Sequence, residues 1–307
     1  QQEYEDAALA QYLQALEEVD ADEKFVNRVL TLDPDSASAR YLLGKLLMER
    51  GDYIGAEEQF NEVMYKTPDY VPAYIASGDL ALRQGASMQA VQRYEKALEL
   101  RPDDITIMTK LVNAYLAVGY LGEADEMLRK ISEVDPGNVK MQIAEGDVAK
   151  ARLENAIDAR DELQAAEGRT AEDEQRLAEL NSQIEGYAAA AVSRYERALQ
   201  SAGSLDLNVK LGQVYLLIGQ LDDAEDEFRR VMVQSPYRVE AYQGIAEVLA
   251  QRGDIEAAVE NLQSAYSRAL DDTQREAIAR RILGFTPDDL TTRLRLARAL
   301  GDQYKWS

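Results

Sequence analysis

The sequence predicts an all-α fold in which helical hairpins of one length are stacked in a row. Four of the seven prolines recur every 34 residues, at Pro34, Pro68, Pro102 and Pro136. Glycines and alanines keep the same spacing in two blocks: Gly51, Gly85 and Gly119, then Gly219 and Gly253; Ala56, Ala90 and Ala124, then Ala224 and Ala258. A fixed period of this length in three residue classes indicates a repeat architecture.

The physical role of each class is visible within residues 71–104, where apolar residues recur at helical spacing on two helices. Gly85 ends the first helix because glycine tolerates the left-handed conformation that follows a helix. Pro102 ends the second because proline cannot donate the next backbone hydrogen bond. We expect Ala90 to face Gly78, so that two small residues let the helices approach closely. Each hairpin leaves an apolar face open, and neighbouring hairpins must stack on it.

A 34-residue period with Gly at position 8, Ala at 20, an aromatic residue or Leu at 24 and Pro at 32 resembles the tetratricopeptide repeat family. The resemblance implies a right-handed superhelical solenoid. Its units run over 37–70, 71–104, 105–138, an interrupted unit at 139–204, then 205–238 and 239–272. Departures from the pattern are Val112 and Ala246 at position 8, and Arg40 in place of the usual bulky residue at position 4.

Both ends of the array depart further from the pattern. Residues 3–36 fit a degenerate repeat, in which Asp22 stands where the small alanine belongs. Terminal repeats are often atypical because one face meets water. Residues 273–307 predict a helical cap, and Thr286-Pro287-Asp288-Asp289 predicts the start of its last helix, with Thr286 as the N-cap.

The unit that starts at residue 139 carries 33 extra residues, roughly 153–186, before its position-20 alanine appears as Ala191. Thr170 with Asp173 predicts a new helix start, and Leu177, Leu180 and Ile184 follow the 3,4 spacing of a coiled-coil seam. We interpret the insertion as an antiparallel helical arm that projects on the order of 20 Å. The alternative is a degenerate extra repeat, because 33 residues are close to one unit.

Composition excludes several kinds of site. The chain has 307 residues and contains neither cysteine nor histidine, so thiolate metal sites and the usual general base are absent. Nucleotide-binding and nucleophile-elbow motifs are also missing, and we therefore predict no catalysis, no metal and no cofactor. A formal charge of -22 disfavours nucleic acid, and no apolar run is long enough to insert into a membrane. The acidity can equally serve solubility alone.

The family resemblance implies a function in protein–protein interaction. In such proteins the first helices of the hairpins line a concave groove that holds a peptide or a partner helix. Positions 2, 5, 6, 9, 12 and 13 would face the groove. Here these positions include Tyr41, Lys45, Ile75, Asp79, Arg83, Thr109, Lys110, Asn113, Lys140, Ile143, Asp147, Lys150, Lys210, Gln213, Gln243 and Glu247.

Among these residues, Lys110, Asn113 and Lys140 form a basic and amide subset in adjacent units, where an acidic segment could dock. The alternative is an ordinary solvated surface. The family also has a two-carboxylate clamp that grips chaperone C-termini. Its fixed set of Lys, Asn and Arg residues is absent here, so chaperone binding is not predicted.

Unlike charges at the two ends suggest a second function, head-to-tail assembly into a filament. Residues 3–36 carry ten acids and two bases, and residues 273–307 carry seven bases and four acids. The basic end includes Arg293, Arg295 and Arg298. Such an end-to-end contact does not close and so builds open polymers. Helix-end electrostatics and chance are the alternative explanation.

The cellular location is predicted from two features of the sequence. The sequence opens with Gln1 rather than methionine, which fits either a processed terminus or a shortened chain. Cysteine is absent. We expect an exported or periplasmic protein, with a cytoplasmic one as the alternative.

Overall fold

The computed structural model describes the backbone of residues 23–303 and the side chains of residues 25–297. Over that range the chain is all-α, as predicted, with fifteen helices and no strand. The helices are α1 (Glu23–Leu32), α2 (Ala37–Glu49), α3 (Tyr53–Lys66), α4 (Val71–Arg83), α5 (Ser87–Leu100), α6 (Ile105–Val118), α7 (Leu121–Val134), α8 (Val139–Ala165), α9 (Ala171–Ala202), α10 (Leu205–Leu217), α11 (Leu221–Gln234), α12 (Val239–Gln251), α13 (Ile255–Arg268), α14 (Asp272–Phe285) and α15 (Leu290–Gln303). Residues 3–22 of the degenerate repeat predicted at 3–36 lie outside the described residues.

The chain divides into two compact units, one up to Ala144 and the other from Glu145, and the boundary falls within α8. Within each unit, helices pack against their neighbours in chain order, for example α2 with α3 and α12 with α13. The turns inside the hairpins follow the predicted chemistry. Gly51, Gly85 and Gly119 all have positive φ, between 75° and 86°. A side chain with a Cβ is strained in that conformation.

One packing rule relates positions 8 and 24 of each hairpin. A Cβ added to Gly78 would lie 2.5 Å from the Tyr94 ring, so the ring occupies the place of the missing side chain. The ring, and not the predicted Ala90, is the nearest group to Gly78. The same pairing recurs at Gly44 with Phe60, Gly146 with Tyr195 and Gly212 with Phe228.

This rule explains two of the departures from the family pattern. Two repeats have a larger residue at position 8, namely Val112 and Ala246. Instead of an aromatic ring, these repeats have leucine at position 24, Leu128 and Leu262. All four of these side chains are buried. A smaller partner at position 24 therefore accompanies the larger residue at position 8, which conserves the packed volume.

Arg40 takes over the hydrogen bond that tyrosine makes at position 4. The hydroxyl groups of Tyr74 and Tyr242 each donate to the carbonyl of the preceding repeat's proline, at 3.0 Å. The guanidinium of Arg40 donates to the equivalent Pro34 carbonyl at 2.8 and 3.1 Å. Because that carbonyl still has a donor, this repeat junction keeps its polar link without an aromatic ring.

The insertion forms two extended helices rather than an extra hairpin. Helix α8 has 27 residues and α9 has 32. Thr170 caps α9 in a reciprocal capping box with Asp173, as the sequence predicts. The predicted seam residues Leu177, Leu180 and Ile184 are buried, with exposed fractions of 3–9%. Leu153 of α8 is also fully buried.

The two arm helices run antiparallel. At the base Gly146 lies against the ring of Tyr195, and near the tip Gln164 and Leu177 line one hollow. Increasing numbers on α8 therefore meet decreasing numbers on α9.

The last described helix begins later than the sequence indicated. Thr286 caps the end of α14, and its hydroxyl donates to the Ile282 carbonyl at 3.0 Å. Asp289 is the residue that accepts from the backbone of Thr291, at 3.0 Å. The prediction of Thr286 as N-cap is thus wrong, because that hydroxyl already serves the preceding helix.

Candidate partner-binding groove

Three polar side chains form a triad in the first unit: one at groove position 9, one at groove position 6 of the next repeat, and a buried tyrosine. The Tyr94 hydroxyl donates to Asp79 Oδ1 at 2.6 Å, and Lys110 Nζ donates to the same oxygen at 2.5 Å. Lys110 also lies 5.9 Å from the centroid of the Tyr94 ring. Tyr94 is fully buried, and burial together with the Asp79 hydrogen bond raises the pKa of its hydroxyl. The triad links one repeat to the next, and the Asp79 carboxylate compensates the positive charge of Lys110.

The second unit repeats this triad across the insertion. Tyr195 donates to Asp147 Oδ1 at 2.7 Å, and Lys210 donates to the same oxygen. Lys210 lies 5.7 Å from the centroid of the Tyr195 ring. Burial, followed by the Asp147 charge, raises the pKa of the Tyr195 hydroxyl. The 33-residue insertion therefore leaves the repeat contact at its base intact.

A concavity of about 400 Å³ opens on the first-helix face of the second unit. Its lining comes from α8, α10 and α12 and consists of Lys150, Glu154, Gln213, Leu216, Leu217, Glu247 and Gln251. All except Glu154 stand at position 9, 12 or 13 of their repeats. The fold thus places three predicted groove residues, Lys150, Gln213 and Glu247, around one hollow.

The charges of this groove are already paired. Lys150 Nζ donates to Glu154 at 2.8 Å, along one helix. The Arg281 guanidinium donates to both carboxylate oxygens of Glu247, at 2.6 and 2.7 Å. What remains for a ligand is a half-buried leucine floor flanked by side-chain amides, which can donate and accept hydrogen bonds.

The predicted groove residues of the first unit do not all remain available. Ile75 and Tyr41 pack against a buried core, and Lys45 Nζ lies 5.8 Å from the Tyr41 ring centroid. The Thr109 hydroxyl donates to its own helix at the Ile105 carbonyl. These side chains are therefore partly committed to packing or helix contacts.

Other predicted residues of this face are open to solvent. Arg83, Asn113 and Lys140 are exposed, and Ile143 is half-buried. Lys110 is paired with Asp79, so only two members of the basic and amide subset remain unengaged by the triad. In the second unit Gln243 is half-buried.

Four residues of this groove were not among those predicted from the sequence. Leu216, Leu217 and Gln251 occupy positions that the repeat register already assigns to the groove. Glu154 has no counterpart in a regular repeat, because α8 continues past the point where a hairpin helix ends. Its only sequence signal is the spacing of four residues from Lys150.

The arginines predicted for an assembly end differ in their contacts. Arg293 Nη2 lies 3.4 Å from Asp288, and the Arg295 guanidinium lies 5.4 Å from the Tyr266 ring centroid. The Arg298 side chain lies outside the described residues. On the same helix, Leu290 and Leu294 are 70% and 73% exposed. The described part of α15 therefore presents two apolar side chains one turn apart with Arg293 beside them.

Two features of the described residues bear on other functions. Between residues 23 and 303, no helix has the length and apolarity that a membrane crossing requires. Among the side chains that the structure describes, at residues 25–297, no group of three or more His, Cys, Asp or Glu residues is arranged to hold a metal ion.

Models of the tetratricopeptide repeat match much of the chain. One model matches residues 81–147, and another matches residues 6–71 and 209–274. Neither model covers the insertion at roughly residues 153–186. A comparison with curated proteins finds no match.

Three solved structures with the same fold illustrate the similarity. A tetratricopeptide repeat protein from Parabacteroides merdae has a TM-score of 0.69 at 14% identity, over 94% of this chain and 100% of its own. The protein TTC0263 from Thermus thermophilus has a TM-score of 0.50 at 21% identity, over 75% and 98%. A chain of the Cut9–Hcn1 hetero-tetramer has a TM-score of 0.60 at 16% identity, over 90% and 45%.

At these identities the structural similarities show the fold alone. The repeat models add matches in sequence, which together extend over residues 6–71, 81–147 and 209–274. The chain therefore belongs to the tetratricopeptide repeat family.

Proposed function

We propose that the chain is a non-catalytic scaffold that binds a segment of another protein in the groove of its second unit. Tetratricopeptide repeat proteins bind protein partners and are generally not catalytic. The observation that carries the proposal is the concavity of about 400 Å³ between α8, α10 and α12. It lies on the first-helix face, where the repeat register places groove positions.

The lining of the groove favours a particular partner chemistry. Leu216 and Leu217 offer an apolar floor, and Gln213 and Gln251 offer amides beside it. Because the groove charges are paired within the chain, a charged ligand gains little unless it displaces an existing ion pair. A segment with leucine-sized side chains and hydrogen-bonding backbone or amide groups fits best.

Selection from a random 16-residue peptide library displayed on phage tests this proposal. Peptides enriched on the wild-type chain are expected to carry apolar residues with neutral polar neighbours. Gln213→Trp places a large ring in the groove without touching the core, because Gln213 is exposed. We expect it to weaken the enriched peptides at least about tenfold, the effect of losing roughly 1.4 kcal/mol of binding.

Gln234→Trp is the matched control, since Gln234 is exposed on α11 and does not line the groove. It should leave the affinity unchanged. Failure to enrich any peptide, or equal binding to both tryptophan variants, would overturn the groove proposal.

Head-to-tail self-assembly is a second candidate function, supported by the exposed Leu290 and Leu294 on α15. Exposed apolar side chains beside a basic residue suit a contact with an acidic apolar surface. Residues 3–36 supply such a charge in sequence, with ten acids against two bases. We propose that one copy's α15 meets this segment of another copy.

Mass measured by light scattering over a range of concentrations, at low and high salt, tests the second candidate. Large species that shrink in high salt would support it, because salt screens the attraction between unlike ends. Leu290→Glu with Leu294→Glu should then give a monomer at all salt concentrations. A wild-type chain that stays monomeric throughout would exclude end-to-end assembly.

A further inference from the structure

A larger cavity, of about 790 Å³, lies in the second unit between α9 of the arm and the end of α10. Its floor is apolar and partly formed by small side chains, including Ala188, Ala189 and Val192, with Leu217 and Ile218 opposite. Small floor residues allow a helix backbone to approach closely. This cavity lies outside the groove of the proposed function, from which it differs in all lining residues except Leu217.

The rim of the cavity is acidic. Glu185 and Glu196 line it, and both are exposed. The single basic residue in the lining, Arg160, already pairs with Asp161 through contacts of 2.8 and 2.6 Å. The rim therefore presents two carboxylates without a compensating free cation in the lining.

Comparison with a regular repeat shows that the cavity is particular to the arm. In the first unit, the equivalent Tyr115 hydroxyl donates to Glu95 at 3.0 Å. Tyr215 and Glu196 occupy the same two repeat positions, yet both line the open cavity. Among the residues that the structure describes, none accepts a hydrogen bond from the Tyr215 hydroxyl.

The insertion builds part of the cavity wall. Ile184 and Glu185 belong to the extra segment, and Arg160 lies on the other arm helix. In a regular 34-residue repeat, both helices would stop short of these positions. The cavity therefore needs the arm in addition to the repeat.

We infer that this arm cavity is a second docking site, which takes an amphipathic helix of a partner protein with leucine-sized apolar residues and flanking arginine or lysine residues. The apolar floor receives the helix's apolar face, as in other helix-in-groove complexes. The flanking cations lie over Glu185 and Glu196, where charge complementarity sets the orientation of the helix. The Tyr215 hydroxyl is an unused donor at the same wall.

The probe that tests this inference is a designed, fluorescein-labelled 18-residue helical peptide with leucines along one face and arginines flanking them. A control peptide has glutamates in place of the arginines. Fluorescence anisotropy with the full chain should give affinity for the arginine peptide that is at least about tenfold higher, falling as salt is added. Equal affinities, or no measurable binding of either peptide, would overturn the inference.

Charge-reversal variants locate the site. Glu185→Lys with Glu196→Lys should reverse the preference, so that the glutamate peptide binds more tightly than the arginine peptide. Glu260→Lys, an exposed change on α13 away from the cavity, should leave the preference unchanged. If the charge reversal instead alters the mass of the chain in solution and not its peptide affinity, the occupant is a second copy and the inference is wrong.

Steric variants separate this cavity from the groove. Ala189→Trp fills the exposed floor and should weaken both peptides, whereas Ala159→Trp on the outside of α8 should not. Gln213→Trp in the groove should weaken the peptides selected there and leave the affinity for the arginine peptide unchanged, because Gln213 does not line the arm cavity. Either proposal can therefore fail alone.

Discussion

Gly44 lies directly beneath the ring of Phe60, whose Cε1 atom would be only 2.5 Å from a Cβ at that position. A contact that short forces the ring or the helix to move. Phe60 is fully buried, so the ring has no free space into which it can turn. The closeness of the two helices in this hairpin therefore depends on glycine here, and the same relation is found wherever position 24 is aromatic.

We expect Gly44→Ala to lower the free energy of unfolding by about 1–3 kcal/mol, the usual cost of overpacking a core. In the Phe60→Leu background the same change should cost much less, because Leu128 and Leu262 accompany larger residues at position 8. Urea unfolding of the four proteins gives the coupling between the two sites. Gly122→Ala is the control, since nothing lies within 4 Å of a Cβ there. Additive effects of the two changes would contradict the packing rule.

The triad of Asp79, Tyr94 and Lys110 should behave as one unit. Asp79→Ala removes the acceptor of a buried hydroxyl and leaves a lysine unpaired, which we expect to cost about 1–3 kcal/mol. With Tyr94→Phe already present, the loss should be smaller because no buried hydroxyl is left unsatisfied. Tyr120→Phe, at a more exposed position of the same unit, is the control. Equal losses from Asp79→Ala in both backgrounds would show that the hydroxyl and carboxylate are not coupled.

The repeat itself could be predicted because its signals are local and recur. Gly85 and Pro102 mark helix ends through their own backbone chemistry, and 34-residue spacing repeats that signal along the chain. Register also places Lys150, Gln213 and Glu247 on one face, and the structure gathers them around one hollow. These predictions need no knowledge of which side chain meets which.

Side-chain partners were harder to predict because they depend on distances across helices. Asp147 and Lys210 are 63 residues apart, and no spacing in the sequence indicates that Lys210 donates a hydrogen bond to the Asp147 carboxylate. The ring over Gly78 likewise extends from position 24 rather than from Ala90, as only the three-dimensional path of the side chain shows. The arm cavity was not predicted, since its walls combine inserted and repeat residues.

Alkaline pH should destabilise the chain through buried tyrosines. Burial and a carboxylate neighbour raise the pKa of Tyr94, Tyr115 and Tyr195 above the ordinary value of 10.0. Since the folded state holds these protons more tightly, the stabilisation is complete below pH 10 and is lost as pH rises further. Each tyrosine should contribute a loss of about 1.4 kcal/mol per pH unit above that point.

Urea unfolding at pH 8 and pH 11 measures this effect. The stability difference between wild type and Tyr195→Phe should shrink by about 1.4 kcal/mol over that range, because the variant has no hydroxyl to ionise on unfolding. Tyr237→Phe is the control, as that side chain is 81% exposed. A difference that stays constant with pH would show that Tyr195 ionises equally well in the folded chain.

The capping box at the tip of the arm should control how firmly α9 begins. Thr170 Oγ1 accepts from the Asp173 backbone at 3.2 Å, and Asp173 Oδ2 accepts from the Thr170 backbone at 2.7 Å. Thr170→Ala should lower local stability by about 0.5–2 kcal/mol, seen as faster amide exchange in the first turn of α9. Gln175→Ala, exposed on the same helix, should change exchange far less.

Acid should weaken the same cap. Backbone and side-chain hydrogen bonds from Thr170 hold the pKa of Asp173 below its ordinary value of 3.8. A carboxylate with a lowered pKa stabilises the folded form above its unfolded pKa, and this contribution is lost as pH falls through the folded value. Amide exchange at the start of α9 should therefore show a protection that is complete near neutral pH and declines below about pH 4. In Asp173→Asn that decline should disappear, and a decline of the same size in both proteins would assign it to other carboxylates of the arm.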